Sequence, residues 1–210
     1  MTAPPDGRVR CAWADNSDAE RAYHDTEWGV PLHGDRALFE MLTLEGAQAG
    51  LSWRSVLVRR QCYRDAYHGF DIETVAAMQD GELAALLAGS GLIRNRLKIH
   101  SVRQNAQAVL RIIEAAGSLD AHLWSFVGGA PIRNRWRSRA EVPARTELSD
   151  RMSRDLKRRG LSFVGGTICY AFMQATGMVN DHEVGCFRHL GKGSLGAAQT
   201  RQGPSPWTIS

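Results

Sequence analysis

The chain has 210 residues, of which 43% are hydrophobic and 23% are charged, and its formal net charge is +4. This composition is that of an ordinary globular protein, and it excludes a disordered, collagen-like or disulfide-dense chain. The length favours one domain or two interleaved lobes. Arginine accounts for 23 of the 26 basic residues. So small an excess of basic over acidic residues is compatible with a nucleic-acid-binding protein and equally with a basic protein that binds no nucleic acid.

The N-terminal residues lack the apolar stretch of a secretory signal peptide, so we expect a cytoplasmic protein. The four cysteines are too few and too scattered for a disulfide scaffold, which predicts thiols or metal ligands. One uncharged run, residues 161–180, is long enough to cross a membrane. Its glycines and polar residues favour a helix buried in a soluble core instead, so we expect no membrane partner.

Helix signals dominate the chain, and the alternation typical of strands occurs only at residues 132–139. A capping box at Ser17 predicts the first helix, and Asp35, Ser52 and Asp71 are predicted to start the next three. These three helices are expected at 36–48, at 53–60 and around 75–78, and the later ones at 82–88, 95–115, 119–126, 147–159, in the uncharged run and in a short segment at 182–187. The predicted class is therefore all-α. Residues 11–190 are expected to form the folded unit, with a flexible N-terminus at 1–10 and a flexible tail at 191–210.

Two pairs of potential metal ligands lie at opposite ends of the chain: Cys11 with His24, and His182 with Cys186. The second pair is spaced i, i+4, which predicts one helical face. Two sulfurs and two imidazoles form a tetrahedral zinc set, and a complete set of four implies a structural role. The alternative is a buried thiol beside a hydrogen-bonded histidine, and the spacing alone does not decide between them.

A carboxylate interrupts the apolar face of the predicted helix 36–48. Glu45 shares that face with Leu38 and Leu42. Burying an unpaired carboxylate is costly, so Glu45 has either a structural arginine partner or a pocket in front of it. The nearby Gly46 and Trp53 favour a cavity wall.

Aromatic residues are concentrated in the same N-terminal part of the sequence. Trp13, Tyr23, Trp28 and Trp53 surround Glu45 in the chain. Aromatic faces around a carboxylate suit a flat, cationic ligand. The alternative is that they are ordinary core residues.

Two basic stretches are candidates for contact with phosphates. Residues 83–113 contain no acidic residue and surround the glycines Gly89 and Gly91, which allow phosphate oxygens to approach backbone N–H groups. The basic side chains of this stretch are Arg94, Arg96, Lys98, Arg103 and Arg111. A solvated helix face is the alternative. Residues 133–139 form a second basic run, for which an exposed loop is the alternative.

Several ordered motifs resemble those of the DNA-3-methyladenine glycosylase I family. They are CAW at 11–13, AYHDTEWGVP at 22–31, LEGAQAGLSW at 44–53, FVG at 163–165 and VNDH at 179–182. The resemblance implies a helix-hairpin-helix glycosylase fold, with a zinc site joining the N- and C-terminal segments. It also implies double-stranded DNA with alkylated adenine as the partner of a monomeric enzyme.

The resemblance also implies roles for individual residues. Glu45 is expected to be the catalytic, base-reading carboxylate, and Gly50 and Leu51 to meet the gap left in the DNA. Glu20 stands where the family often has a tyrosine facing the pocket. The other roles that it implies are base binding by Tyr23, Trp53, Trp13 and Trp28 and zinc binding by Cys11, His24, His182 and Cys186. The glycines and basic charge described above, and not the resemblance, predict DNA binding by Gly89, Gly91, Arg94, Arg96 and Lys98.

The expected reaction is removal of a flipped 3-methyladenine by water, which leaves an abasic site. No lysine lies within the pocket motifs, so a Schiff-base lyase step is not expected. The alternative function is a non-catalytic, zinc-stabilised DNA-binding module that recognises alkylated bases.

Overall fold

The protein is represented by a computed structural model that describes residues 6–89 and 91–189. This part of the chain is mostly helical, which confirms the coarse prediction of class. Its α-helices are α1 (Asp18–Thr26), α2 (Asp35–Gln48), α3 (Trp53–Leu57), α4 (Arg60–Ala66), α5 (Ile72–Ala77), α6 (Asp80–Gly89), α7 (Arg96–Ala116), α8 (Leu119–Ser125), α9 (Glu147–Arg158) and α10 (Gly166–Ala175). Two short strands are β1 (Ile132–Arg133) and β2 (Val179–Asn180).

Side-chain caps explain where several helices begin. The Ser17 hydroxyl accepts a hydrogen bond from the Glu20 backbone N–H, so Ser17 caps α1 as predicted. The Glu20 carboxylate accepts from the Ser17 hydroxyl and not from its backbone N–H, so the reciprocal bond of the predicted capping box does not form. Ser52 accepts from the backbone of Ser55 at the start of α3. These bonds satisfy N–H groups that have no partner inside the helix.

The predicted cap of α2 and the predicted end of α3 are wrong. Gly34 rather than Asp35 occupies the cap position of α2, and the Asp35 carboxylate accepts a bond from the backbone N–H of Asp120 at the start of α8. Tertiary contact has therefore displaced the expected local cap. The predicted helix 53–60 ends at Leu57, and a new helix begins at Arg60.

The core is built around α2. Every residue from Leu38 to Ala47 is buried, because α2 packs against α3, α7, α8 and α10. The sequence predicted one apolar face on this helix. The structure buries nearly all sides of it, because neighbouring helices surround it. The uncharged run contains α10, which packs on α9 and α2. No helix in the described ranges combines the length and the apolar character of a membrane span.

Two distant segments meet in a short parallel pair. Ile132 pairs with Val179 and Arg133 with Asn180, so the predicted alternation at 132–139 yields only two residues of strand. The segment at 182–187 forms successive turns rather than the predicted helix. Its backbone is held by a bond from Val184 N–H to the carbonyl of Trp136 (2.8 Å).

The predicted ends of the folded unit fall partly outside the described residues. The tail at 191–210 lies outside them, as do residues 1–5. Arg10, within the predicted flexible N-terminus, is 8% exposed, and its guanidinium bonds to the carboxylates of Asp6 and Asp25. Arg10 therefore belongs to the packed structure, while the division into two lobes stays a prediction.

Candidate functional site

A cavity of about 320 Å³ opens between α1, α2, α3, α10 and the loop that follows β1. This volume is within the range of small-ligand pockets. The structure brings the predicted carboxylate and all four predicted base-binding aromatics to its wall: Glu45, Tyr23, Trp53, Trp13 and Trp28. These residues come from four separate segments of the chain, so the grouping is a product of the fold.

Glu45 lies in the last turn of α2 and is 3% exposed. Burial raises the pKa of its carboxyl to about 8. Its Oε2 atom has no hydrogen-bond partner among the described residues. The carboxyl therefore has an acceptor or donor position left for a ligand in the cavity.

A second buried carboxylate on α2 provides a contrast. Glu40 is 9% exposed and accepts bonds from Arg60 Nε (2.6 Å) and Arg64 Nε (2.9 Å). This is the structural ion pair that the sequence left open for Glu45. The arginines meet Glu40 instead, and sequence analysis did not single that residue out.

The aromatic rings pack around the carboxyl and carry further unpartnered atoms. Tyr23 and Trp53 lie with ring centroids 5.1 Å apart, and Trp13 meets Trp28 edge to face at 5.1 Å. Burial, followed by the charge of Glu45, raises the pKa of Tyr23, so its hydroxyl remains a proton donor. Tyr23 OH and Trp53 Nε1 are buried without a partner in the described structure. An unsatisfied buried group costs about 1–3 kcal/mol, which points to a ligand that pairs with them.

Part of the cavity wall was missed by sequence analysis. Asp181 accepts bonds from Asn134 Nδ2 (2.6 Å), Trp136 Nε1 (2.8 Å), Tyr170 OH (2.6 Å) and Gln174 Nε2 (2.8 Å). These bonds tie α10 to the segment after β1. Asp181 stands in the VNDH motif, which was the available signal, but the motif does not reveal its partners.

The rim is also formed by residues 139–144, of which Arg139 and Val142 to Ala144 line the cavity. No motif marked this loop. Glu20 is buried at the start of α1, where its carboxylate accepts from Ser17, and the residues lining the cavity do not include it. Glu20 therefore contacts the cap of α1 at the position where the family often has a tyrosine that faces the pocket.

The four predicted metal ligands converge in one buried cluster. Cys11 Sγ lies 3.5 Å from His182 Nδ1, and Cys186 Sγ lies 3.4 Å from His24 Nε2 and 3.6 Å from His182 Nδ1. All four ligand atoms lie within 4.8 Å of one another. Around a tetrahedral zinc with bonds of about 2.0–2.3 Å, ligand atoms lie roughly 3.3–3.8 Å apart, so this group could bind a metal.

The surroundings of the two histidines also suit a metal. His24 Nδ1 bonds to Asp25 Oδ1 (2.8 Å), and His182 Nε2 bonds to the carbonyl of Trp28 (3.1 Å). Carboxylate and carbonyl partners of this kind orient metal-binding imidazoles. Gly29 permits the second contact, because its φ is +75° and a Cβ there would lie 2.8 Å from His182 Nε2.

The cysteines of the cluster are free thiols. A hydrogen bond from Cys11 lowers the pKa of Cys186, and bonds to His182 and His24 add to this. A thiolate beside two imidazoles is the form that binds metal. His182 and Cys186 converge through turns, so the prediction of one helical face is wrong although the pairing of their side chains is not.

The candidate DNA-binding residues are distributed over two neighbouring surfaces. Gly50 follows α2 with φ +77°, and Leu51 beside it is 43% exposed. Helices α6 and α7 are joined by residues 90–95, and the side chains of Arg94 and Arg96 are exposed. Gly89 ends α6.

Gly91 of this connection and Lys98 in the first turn of α7 have structural contacts. Gly91 has φ +73°, and a Cβ there would lie 3.0 Å from Cys62 Sγ. The Lys98 ammonium, expected to meet DNA, donates to the carbonyls of Ala47 (2.8 Å) and Ala49 (2.6 Å). Lys98 therefore joins α7 to the end of α2, which spacing along the sequence did not reveal.

Comparison with known proteins finds the methyladenine glycosylase family, whose model matches residues 13–189. DNA-3-methyladenine glycosylase 1 of Escherichia coli (strain K12) is 47% identical over 177 residues, covering 84% of this chain and 95% of that protein. A crystal structure of 3-methyladenine DNA glycosylase I has 48% identity and a TM-score of 0.83, covering 86% of this chain and all of that one. The Staphylococcus aureus enzyme, solved to show the structural basis of 3-methyladenine recognition, has 31% identity and a TM-score of 0.83, with coverage of 86% and 96%.

Proposed function

Because this chain belongs to the methyladenine glycosylase family, we propose that it hydrolyses the N-glycosyl bond of 3-methyladenine in alkylated double-stranded DNA. Its similar relatives are named as DNA-3-methyladenine glycosylases, and a glycosylase is an N-glycosyl hydrolase. The family, the enzyme class and the cavity agree on this reaction.

One observation carries the proposal. Glu45 Oε2, Tyr23 OH and Trp53 Nε1 are all buried at one cavity without partners in the described structure. A purine base offers hydrogen-bonding groups along its edge and flat faces for the rings. A base flipped out of the stack would satisfy these atoms and contact both aromatic side chains.

Charge provides the selectivity. A nucleotide alkylated at N3 of adenine carries a positive charge on its base, whereas adenine is neutral. Among the described residues no cation bonds to the buried Glu45, so a cationic base stabilises its ionised form and lowers its raised pKa. Neutral adenine offers no such gain, and flipping it costs a few kcal/mol that is then not recovered.

The chemical step needs little assistance at the leaving group. The bond between the base N9 and the sugar C1′ breaks, and its electron pair neutralises the charged base. A water oxygen bonds to C1′ and releases a proton, which leaves an abasic sugar. Lys98 and Lys157 do not line the cavity, and these are the lysines within the described residues. A lyase step through an amine therefore has no candidate nucleophile in the described cavity wall.

The metal would have a structural role. Cys11, His24, His182 and Cys186 would hold zinc with all four positions filled, and a closed set leaves no position for a reacting water. Trp13 lies 5.4 Å from the His24 ring, and Trp28 lies 4.6 Å from the His182 ring. A bound zinc would thus hold the two imidazoles against which these cavity aromatics pack.

DNA would contact the surfaces next to the cavity. Leu51 follows the helix that carries Glu45 and is exposed enough to enter the space of a flipped nucleotide. Arg94 and Arg96, at the connection between α6 and α7, would pair with phosphates. This helical pair would form the helix-hairpin-helix element of the enzyme.

The proposal is tested by chromatography of the bases released from methylated duplex DNA. Wild type should release 3-methyladenine, and Glu45→Gln should lower the rate at least 100-fold while DNA binding changes little. Glu40→Gln is the matched control, since it changes a buried carboxylate on the same helix outside the cavity. Glu40→Gln should lower the thermal stability of the protein and still release 3-methyladenine.

Two outcomes would contradict the proposal. A folded wild-type protein that binds damaged DNA and releases no base would indicate the non-catalytic module. Equal rates for wild type and Glu45→Gln would remove Glu45 from its proposed role.

A further inference from the structure

The segment after β1 is held rigidly by its inward-facing side chains. Asn134 and Trp136 both donate to Asp181, at 2.6 Å and 2.8 Å. The backbone N–H of Asn134 also donates to the carbonyl of Asn180, and the carbonyl of Trp136 accepts from Val184. Anchoring every second residue fixes the direction of the side chains between them.

Three arginines alternate with these two anchors along the chain, and a fourth follows at the first residue of a short 3-10 turn, Arg139–Glu141. Arg133, Arg135, Arg137 and Arg139, here called the arginine strip, are all exposed. None of the four guanidiniums forms an ion pair within the described residues. The nearby Glu141 carboxylate accepts from the backbone N–H of Arg137 (2.9 Å). Four unpaired cations within seven residues repel one another, so an anionic partner would stabilise the arrangement.

The strip leads directly to the cavity. Arg139 and Glu45 line the same cavity, Arg139 as an exposed residue and Glu45 as a buried one, and residues 142–144 continue the rim from Arg139. A nucleotide whose base lies in the cavity has its phosphates at the mouth, because the base and the backbone are at opposite ends of the sugar. The strip is thus placed where the backbone of the damaged strand would leave the cavity.

We propose that the arginine strip is a second phosphate-binding surface, distinct from the connection between α6 and α7, which holds the DNA strand beside the flipped nucleotide. This inference rests on the proposed function. Guanidinium groups pair with phosphates through two parallel hydrogen bonds, and a backbone fixed in advance loses little entropy on binding. The strip would contact phosphates without reading sequence.

The salt dependence of DNA binding tests the strip. The probe is a labelled duplex with a tetrahydrofuran abasic analogue at its centre. The variant is Arg133→Gln, Arg135→Gln and Arg137→Gln combined, which leaves Arg139 and the anchors in place. Each phosphate contact contributes about 0.9 to the slope of log Kd against log salt, so the slope should fall by roughly 2 to 3.

The control removes the same charge elsewhere. Arg151→Gln, Arg154→Gln and Lys157→Gln combined alters the exposed face of α9, which has no residue lining the cavity. The slope of log Kd against log salt for this control should change by less than the roughly 0.9 that one phosphate contact contributes. The Tm of both triple variants should be close to that of wild type.

The outcomes separate the strip from the proposed function, because base release by wild type is measured in the same preparation. If wild type releases 3-methyladenine but the strip variant keeps the wild-type slope, the strip is overturned and the function stands. The same holds if both triple variants lose slope equally. If the strip variant alone loses slope and wild type releases no base, the strip is upheld and the glycosylase function is contradicted.

Discussion

At the scale of single residues, two buried glutamates on one helix have opposite surroundings. Glu40 is neutralised by Arg60 and Arg64, which lie within hydrogen-bond distance. Glu45 faces the cavity with no cation bonded to it in the part of the chain that the structure describes, and burial raises its pKa to about 8. A carboxyl in this position is ready to change its protonation state when a charged base enters.

This difference predicts a pH dependence. Below a pH of about 8 Glu45 is protonated in the free enzyme, so the ionised form that pairs with a cationic base is scarce. The value of kcat/KM for base release should therefore rise between pH 6 and 8 and become level above it. Glu45→Gln should show a low, flat profile in stopped assays on methylated duplex, while Glu40→Gln follows wild type. A flat wild-type profile over pH 6 to 9 would contradict this assignment.

At the scale of elements, the link between α7 and α2 positions the loop that follows Glu45. The Lys98 ammonium donates to the carbonyls of Ala47 and Ala49, at the negative end of the α2 dipole. Gly50 and Leu51 come next in the chain. A cation held at this helix end both satisfies carbonyls and fixes where the loop begins.

We expect Lys98→Met to reveal which role this lysine has. Loss of hydrogen bonds from a charged group costs about 1.5–3 kcal/mol, so stability and base release should fall. The salt slope of DNA binding should stay as in wild type, because the ammonium is occupied by carbonyls. Arg96→Gln is the comparison, and its slope should fall by about 0.9. A matching loss of slope in Lys98→Met would restore the sequence-based expectation of a phosphate contact.

Local signals explain which elements were predictable. The side-chain cap at Ser17 acts over three residues, and the caps at Ser52 and Asn95 do the same, so α1, α3 and α7 begin where the sequence indicates. Asp35 has an equally good local signal, but a backbone N–H from α8 takes its carboxylate. Sequence alone does not show such competition between distant segments.

The site divides in the same way. Glu45 and its neighbours lie in motifs. A carboxylate on an apolar face was also recognisable as a candidate, because burying it without a partner costs free energy. The bonds of Lys98 and Asp181 were not foreseen, because their partners are carbonyls and side chains far away in the chain. The Cys and His residues of the cluster were predictable as residue types, whereas the turns that bring His182 and Cys186 together were not.

At the scale of the whole molecule, the ligand cluster joins segments near both ends of the chain and stands beside the cavity. Cys11 belongs to the cluster and also lines the cavity. Trp28 packs edge to face on His182 and accepts its Nε2 hydrogen at the backbone carbonyl. Loss of the metal should therefore loosen the ends and the aromatic wall together.

Zinc binding predicts a stability effect with a clear control. Purified protein should contain one zinc per chain by mass spectrometry of the metal, and Cys186→Ala should lose it. A loss of about 3 kcal/mol in a domain of this size would lower Tm by roughly 6–12 °C. Cys62→Ala, outside the cluster, should keep the metal and most of the stability. Full metal content in Cys186→Ala would contradict the four-ligand assignment.

The central claim is that the three unpartnered atoms of the cavity recognise the alkylated base. Calorimetric titration with 3,9-dimethyladeninium, which stays cationic because its N9 is alkylated as in the nucleotide, tests it most directly, with the neutral 9-methyladenine as the comparison. Wild type should bind one 3,9-dimethyladeninium per chain and 9-methyladenine far more weakly, and Glu45→Gln and Tyr23→Phe should each weaken binding of the cation about tenfold. Binding that is equal for the two bases, or unchanged in both variants, would contradict the account.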